Sequence, residues 1–261
     1  MSIGTYTPRP GAAPLPRMIA AQTAFETKML LRNGEQLLLT VIIPALLLVL
    51  FSTVDIIAVP TETEGGSGKS VDFLAPGILA LAVMSTAFTG QAIATGFERR
   101  YGVLKLLGTS PLPRWALMTA KTFSVLVTEV LQVVLLTVIA FGLGWSPHGN
   151  PFAVFLLLVL GTAAFSGLGL LMAGTLKAEA TLAAANLVFL LLLVGGGVIV
   201  PLDKFPDAAQ SVLGLLPISA LSDGLRDVLQ HGAAIPWSNL GILAMWAVLG
   251  LGAAARFFRW E

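Results

Sequence analysis

Six stretches of this chain are apolar over lengths that match the thickness of a lipid bilayer: Leu37–Val59, Phe73–Phe97, Thr119–Leu143, Phe152–Leu176, Ala180–Val200 and Leu240–Phe257. Crossing the hydrocarbon core takes roughly 20 helical residues. Inside it no water serves the backbone, so each N–H and C=O must be satisfied within its own segment, which predicts a helix for each stretch. No strand pattern competes. Hydrophobic residues make up 56% of the chain and charged residues 11%, with a mean hydropathy of +0.88. A water-soluble domain carries about 25% charged residues, so these charges would cover an aqueous surface poorly. The predicted fold class is an all-α integral membrane protein with six transmembrane helices. Pro44 in the first span and Pro76 near the start of the second are expected to kink or cap their helices.

Lysine and arginine positions predict the orientation, because cytoplasmic loops collect positive charge. With the N-terminus inside, the cytoplasm receives Arg9, Arg17, Lys28, Arg32, Arg99, Arg100, Lys105, Arg114, Lys121, Lys177, Arg256 and Arg259, and the outside only Lys69, Lys204 and Arg226. The acids Asp55, Glu62, Glu64, Asp72, Asp203, Asp207, Asp223 and Asp227 fall outside. This predicts a multi-pass protein of the plasma (inner) membrane with both termini cytoplasmic. Residues 1–16, rich in Pro, Gly and Thr and without an apolar core, read as a disordered cytoplasmic tail rather than a signal peptide. Residues 17–261 read as one membrane domain.

Two pieces do not span. Over Arg17–Gly34, Met18, Ala21, Phe25 and Met29 recur at helical spacing, with Gln22, Glu26 and Lys28 elsewhere. That pattern suits an N-terminal amphipathic helix lying in the inner interface; a plain extension of the first span is the alternative. The outer segment Pro201–Trp237 contains Val212-Leu213-Gly214-Leu215-Leu216, too apolar for a solvated loop and too short to cross. A re-entrant dip before the last span is expected, with protein burying the broken backbone.

Several chemistries are excluded. The chain has no Cys, and its two histidines, His148 and His231, are far apart, which argues against a metal site. No acid pair, His or Cys offers convergent catalytic groups, so no catalytic residue is assigned. A net charge of +1 gives no reason to expect nucleic acid. Gly65-Gly66-Ser67-Gly68-Lys69-Ser70 resembles the end of a phosphate-binding loop, but Thr63 stands where the first Gly is needed. The segment also lies in an acidic loop expected outside, and a flexible linker accounts for it better.

Inside the spans the polar exceptions are Glu129, Gln132 three residues later on the same face, and Asn186. A carboxylate within a membrane is expensive and marks a functional candidate. A hydrogen bond to a neighbouring helix or subunit, a substrate-facing role and a proton relay all remain open for Glu129, and Asn186 reads mainly as helix–helix glue. Ala163 and Gly167, and Gly169 and Ala173, are small residues four apart that allow close helix approach. Gly195-Gly196-Gly197 reads as a hinge or a packing notch.

The most informative stretch is Glu98-Arg99-Arg100-Tyr101-Gly102-Val103-Leu104-Lys105-Leu106-Leu107-Gly108-Thr109-Ser110-Pro111-Leu112-Pro113, placed inside between the second and third spans. It is basic and carries the apolar cluster Val103, Leu104, Leu106 and Leu107. A short helix with one apolar face can dock in the groove of a soluble partner; a simple positive anchor is the alternative. Leu104 and Leu107, three apart, are expected to share the docking face. The stretch resembles the Glu-Arg-Glu-x-Gly-Thr-x-Glu-x-Leu-x-x-x-Pro-Leu pattern of ABC-2-type transporter permeases. Glu98, Arg99, Gly102, Leu107, Pro111 and Leu112 match, while Arg100 and Lys105 stand where acids are usual. Val200-Pro201-Leu202-Asp203-Lys204-Phe205-Pro206, then Leu216-Pro217 and Arg226, is similar to the family's Pro-rich outer segment before the last helix. The order of elements agrees over roughly residues 17 to 257, most closely with the drug-exporter branch of daunorubicin- and nodulation-type permeases.

The resemblance implies a membrane subunit that binds no cofactor itself and pairs with a separate ATP-binding-cassette ATPase, which holds ATP and Mg. It implies a second permease copy or a related permease, and coupling through Glu98, Arg99, Gly102, Val103, Leu104, Leu106, Leu107 and Pro111. An amphipathic substrate would leave the cytoplasm near the first, second and fifth spans, with Glu129, Gln132 and Asn186 as pathway candidates. A proton-coupled secondary transporter is the rival, although such proteins usually bury several ionisable groups and show repeated halves. A non-transporting anchor subunit is the other.

Overall fold

A computed structural model describes residues 11, 13–34, 38–53, 70–198 and 205–259. Among these residues the regular structure is helical and no strand occurs. In chain order the helices are α1 (Leu15–Arg32), α2 (Ile43–Thr53, entered through a π turn, Leu38–Ile42), α3 (Ser70–Arg100), α4 (Val103–Gly108), α5 (Arg114–Gly142), α6 (Pro151–Thr175), α7 (Ala178–Gly195), α8 (Asp207–Leu213), α9 (Pro217–Leu229) and α10 (Trp237–Phe257). Five of them, α3, α5, α6, α7 and α10, are long and apolar enough to cross a membrane. The first expected span appears as the shorter apolar α2; Leu37 and residues 54–59, with which it was expected to begin and end, lie outside the described residues. So does most of the glycine-rich segment, residues 65–69.

Two of the predicted elements shift at their ends. Helix α1 begins at Leu15 rather than after the tail, because Pro16 falls in the first turn, where its missing N–H costs nothing. Helix α3 runs on past Phe97 to Arg100 and carries Pro76 without breaking. Its middle, Met84–Gly90, is a π segment.

Helix α3 is the axis of the bundle. Every residue from Val71 to Val83 is buried, which is what a helix apolar all round requires. Helix α6 packs beside it and, backbone to backbone, against α10. A Cβ placed on Gly167 would sit 2.5 Å from the Leu251 backbone nitrogen, and one on Gly169 would sit 2.8 Å from the Phe88 carbonyl oxygen. The small residues of the fourth span thus admit two different neighbours. Helices α5, α7 and α10 turn Val130, Val134, Val138, Leu190, Leu191, Val194 and Val248 outward. Lipid covers such surfaces at no cost.

Residues 205–237 fold into α8 and α9 rather than one loop. Val212 and Leu215 of the apolar run are exposed, whereas α9 is buried across the ends of α3, α6 and α10. The glycine triplet makes room for it: α7 stops at Gly195, and a Cβ on Gly196 would meet Ile218 at 2.3 Å. Helix α1 lies along α5. Its apolar stripe, expected to lie in the inner interface, is turned away from the bundle. Phe25 and Met29 point outward, and the buried residue of α1 is Glu26, because Glu26 has an ionic partner underneath.

Candidate functional site: the elbow between the second and third spans

Helix α3 ends where Gly102 adopts φ +77°, a left-handed conformation that L side chains rarely take. A Cβ there would meet nothing within 4 Å, so the backbone angle alone demands glycine. The reversal starts α4, which is finished by two hydroxyl caps: Thr109 donates to the Leu106 carbonyl at 2.7 Å and Ser110 to the Leu107 carbonyl at 2.6 Å.

Leu104 is completely buried among Leu117 and Met118 of α5, Leu170 of α6, and Ala254 and Phe258 at the end of α10. Leu107 and Leu112 pack at the rim. Burying a leucine fully is worth about 1.5–3 kcal/mol, so one side chain pins the elbow to three helices. This corrects the expectation that Leu104 and Leu107 offer one face to a partner. A helix this short is held only by burying a face, and the apolar seat lies in its own chain. The face left open is Val103 and Leu106, three residues apart, with Leu106 73% exposed and Tyr101 and Lys105 beside them. Pro111 is exposed beyond.

Charged residues key the elbow to the other helices. The Lys121 ammonium of α5 lies 2.6 Å from the Glu98 carboxylate of α3 and 3.0 Å from Glu26 of α1. Lys121 is 4% exposed. Arg99 donates to the Leu176 carbonyl at the end of α6, and Arg100 pairs with Glu179 at the start of α7. The Arg100 pair is exposed and contributes little energy, but it places Arg100 opposite an acid of this same chain. Arg99, Arg100, Lys105 and Lys177 together make the surface of the elbow basic.

The three pathway candidates separate. Glu129 is buried and accepts a hydrogen bond from the Thr162 hydroxyl, joining α5 to α6. Gln132 is buried too; its amide oxygen accepts from the Thr86 hydroxyl at 3.0 Å, and its amide nitrogen donates to the Thr40 carbonyl. Asn186 is exposed, donates to the Leu182 carbonyl of its own helix at 2.9 Å, and lines an open groove of about 640 Å³ between α2, α3 and α7. Thr40, Pro44, Ser85 and Thr89 line the same groove.

Two ionic centres were not singled out from the sequence. Lys121 falls two residues inside the expected third span, which is itself the signal of a buried cation needing acids. Arg226 is the other. It lies 3.1 Å from Asp223, donates to the Val198 carbonyl at 2.8 Å, and sits 4.1 Å over the Phe73 ring. Burial pushes the Arg226 guanidinium below its ordinary value and the Asp223 carboxyl above its own, and each opposes the shift in the other.

The described fold is that of a multi-pass membrane protein with one short helix pinned across the ends of several others. The chain matches the family described as ABC-2 family transporter protein over residues 19–256, and it belongs to that family. It is similar to YvfS of Bacillus subtilis, described as a transport permease, with 24% identity over 242 residues covering 89% of this chain and 93% of YvfS. It is also similar to the linearmycin resistance permease protein LnrN of Bacillus subtilis, 29% identical over 204 residues, 76% of this chain and 52% of LnrN. ABC transporter G family member 20 of Dictyostelium discoideum is 25% identical over 187 residues, 70% of this chain and 25% of that protein. The chain therefore spans nearly all of the first relative, about half of the second and a quarter of the third. It is a transmembrane permease of the ABC transporter class, a membrane subunit rather than a catalytic one, and permeases of this family work with an ATPase subunit.

Proposed function

We propose that this chain is the permease of an exporter, with six spans, and that it moves an amphipathic, drug-like molecule out of the cytoplasm. The protein sits in the plasma membrane with both termini cytoplasmic, α1 rests at the inner interface, and residues 201–237 dip in from outside. ATP and Mg are held by a separate ATP-binding-cassette subunit, and a second copy or related permease completes the complex. The observation that carries this reading is the elbow: Leu104 is anchored in the bundle while Val103 and Leu106 are left open. A soluble partner pushing on that open face moves α3, α5, α6 and α10 together, because all four are joined at the seat and at Lys121. The basic surface of the elbow suits an acidic rim on the partner. The groove bearing Asn186, between the first, second and fifth spans, is the cargo path. LnrN is named for linearmycin resistance, which favours a drug as cargo.

The test is transport into inverted membrane vesicles from cells with and without the cassette ATPase, together with copurification of the two chains. Val103→Asp/Leu106→Asp is expected to insert normally and lose the ATPase. Normal copurification and unchanged ATP-dependent transport by that variant would overturn the reading.

A further inference from the structure

Beside Lys121 a cavity of about 780 Å³ opens between α1, α3 and α5, walled in part by Leu30, Gln91, Thr95, Lys121, Ser124 and Val125. Two side chains in this wall are buried without a partner. Gln91 is 5% exposed and neither its amide nitrogen nor its amide oxygen is hydrogen-bonded; Thr95 is 1% exposed and its hydroxyl is unpaired. Buried polar groups in proteins are nearly always paired, and lipid offers no substitute for water. The two residues stand four apart on α3 and so share one face. Neither the elbow nor the groove of Asn186 uses them, since that groove does not include either residue.

The chemistry of the wall selects a ligand. In the buried part of the wall the ionic groups answer one another, with Lys121 between Glu26 and Glu98, while Arg32 lines the cavity at an exposed position. A charged head seated beside Gln91 and Thr95, at the buried end, would have to break one of those contacts. An amide presents a donor and an acceptor side by side, and a hydroxyl both donates and accepts; each is matched by a group that does both. Leu30 and Val125 leave room for an apolar stem. We infer that this cavity binds the uncharged, hydroxyl- or amide-rich head of an amphipathic molecule, held by Gln91 and Thr95. As a cargo site the inference rests on the transport reading above. As a seat for a resident membrane lipid with such a head it does not.

The chain has no Cys, so a single thiol at Leu30→Cys reports on the cavity and one at Lys105→Cys reports on the open elbow. The full-length variants are placed in phosphatidylcholine nanodiscs and alkylated with a maleimide in the presence of octyl glucoside, octyl sulfate or octyltrimethylammonium. Octyl glucoside is expected to slow alkylation at residue 30, about tenfold at ten times its dissociation constant, and to leave residue 105 unaffected. The two charged amphiphiles should have little effect. Adding Gln91→Leu or Thr95→Val should abolish the slowing while the unliganded rate at residue 30 stays the same. Equal slowing by all three heads, no slowing at all, or slowing that survives both substitutions would overturn the inference.

The source of the ligand is read separately. If the head belongs to cargo, octyl glucoside stimulates ATP hydrolysis by the assembled transporter and Gln91→Leu removes the stimulation. If it belongs to a resident lipid, mass spectrometry finds a hydroxylated lipid copurifying with the native chain and depleted from Gln91→Leu. Failure of the ATPase to assemble sinks the transport reading and leaves the thiol-protection result standing.

Discussion

The Lys121 ammonium lies 2.6 Å from the Glu98 carboxylate, which ties the last turn of α3 before the elbow to the first turns of α5. The same ammonium reaches Glu26 at 3.0 Å, so α1 hangs on that contact as well. Removing the cation leaves two acids facing each other at a buried site. Breaking a buried ion pair from one side costs about 3–5 kcal/mol. Lys121→Met is therefore expected to lower the Tm of the purified protein by more than Arg100→Met, whose pair is exposed. Equal Tm values for the two would show that the cluster does not hold the helices.

Leu104 and Leu106 sit two residues apart and face opposite ways. Leu104→Ala should cost about 2–5 kcal/mol, the range for a truncated core leucine. Leu106→Ala should change stability by less than about 0.5 kcal/mol, as surface substitutions do. In a pull-down with the ATPase the order reverses, with Leu106→Asp losing more bound partner than its small stability change explains. Retention of the partner by Leu106→Asp would remove this face from coupling.

Gly167 and Gly252 offer a matched pair for helix packing. A Cβ on Gly167 meets the α10 backbone at 2.5 Å, whereas one on Gly252 meets nothing within 4 Å. Gly167→Val is expected to destabilise by about 1–3 kcal/mol or more through overpacking, and Gly252→Val to leave the unfolding curve nearly unchanged. Size-exclusion profiles and thermal unfolding in detergent decide the matter.

Glu129 and Thr162 test whether a buried carboxylate is glue. A double-mutant cycle of Glu129→Leu with Thr162→Val should give a coupling energy of about 0.5–3 kcal/mol, as contacting residues do. Because neither residue lines the groove of Asn186, transport per folded complex should survive Glu129→Gln. A transport defect with full assembly would restore Glu129 to the mechanism.

Orientation is open to thiol labelling at the two ends of the bundle. Ser211→Cys on α8 should react with an impermeant maleimide in intact cells, and Thr109→Cys after α4 should react only once the cells are opened. The reverse pattern would invert the protein in the membrane.

Much of this molecule is written locally. The apolar runs gave the helices because lipid forces backbone groups to pair within a segment, and that constraint acts on each stretch alone. The elbow was legible through the family-like pattern in which Gly102 stands and through the short apolar cluster that follows it, whereas the left-handed φ of Gly102 is seen only in the structure. The small residues of α6 announced close packing without saying against what.

What the sequence could not assign is which face of an amphipathic element meets which neighbour. The spacing of Leu104 and Leu107 predicted a shared face, but only the seat formed by Leu117, Met118, Leu170, Ala254 and Phe258 decided that this face turns inward and that Val103 and Leu106 are left exposed. Likewise the apolar stripe of α1 says nothing of its other face, and only the fold shows Glu26 buried there, because Lys121 stands 95 positions later and comes alongside only when α1 packs on α5. Pairings of this kind depend on distance in space rather than along the chain. Helix periodicity fixes the angle between two side chains on one rod; the rotation of that rod against its neighbours is fixed only by the buried charges and close contacts of the assembled bundle.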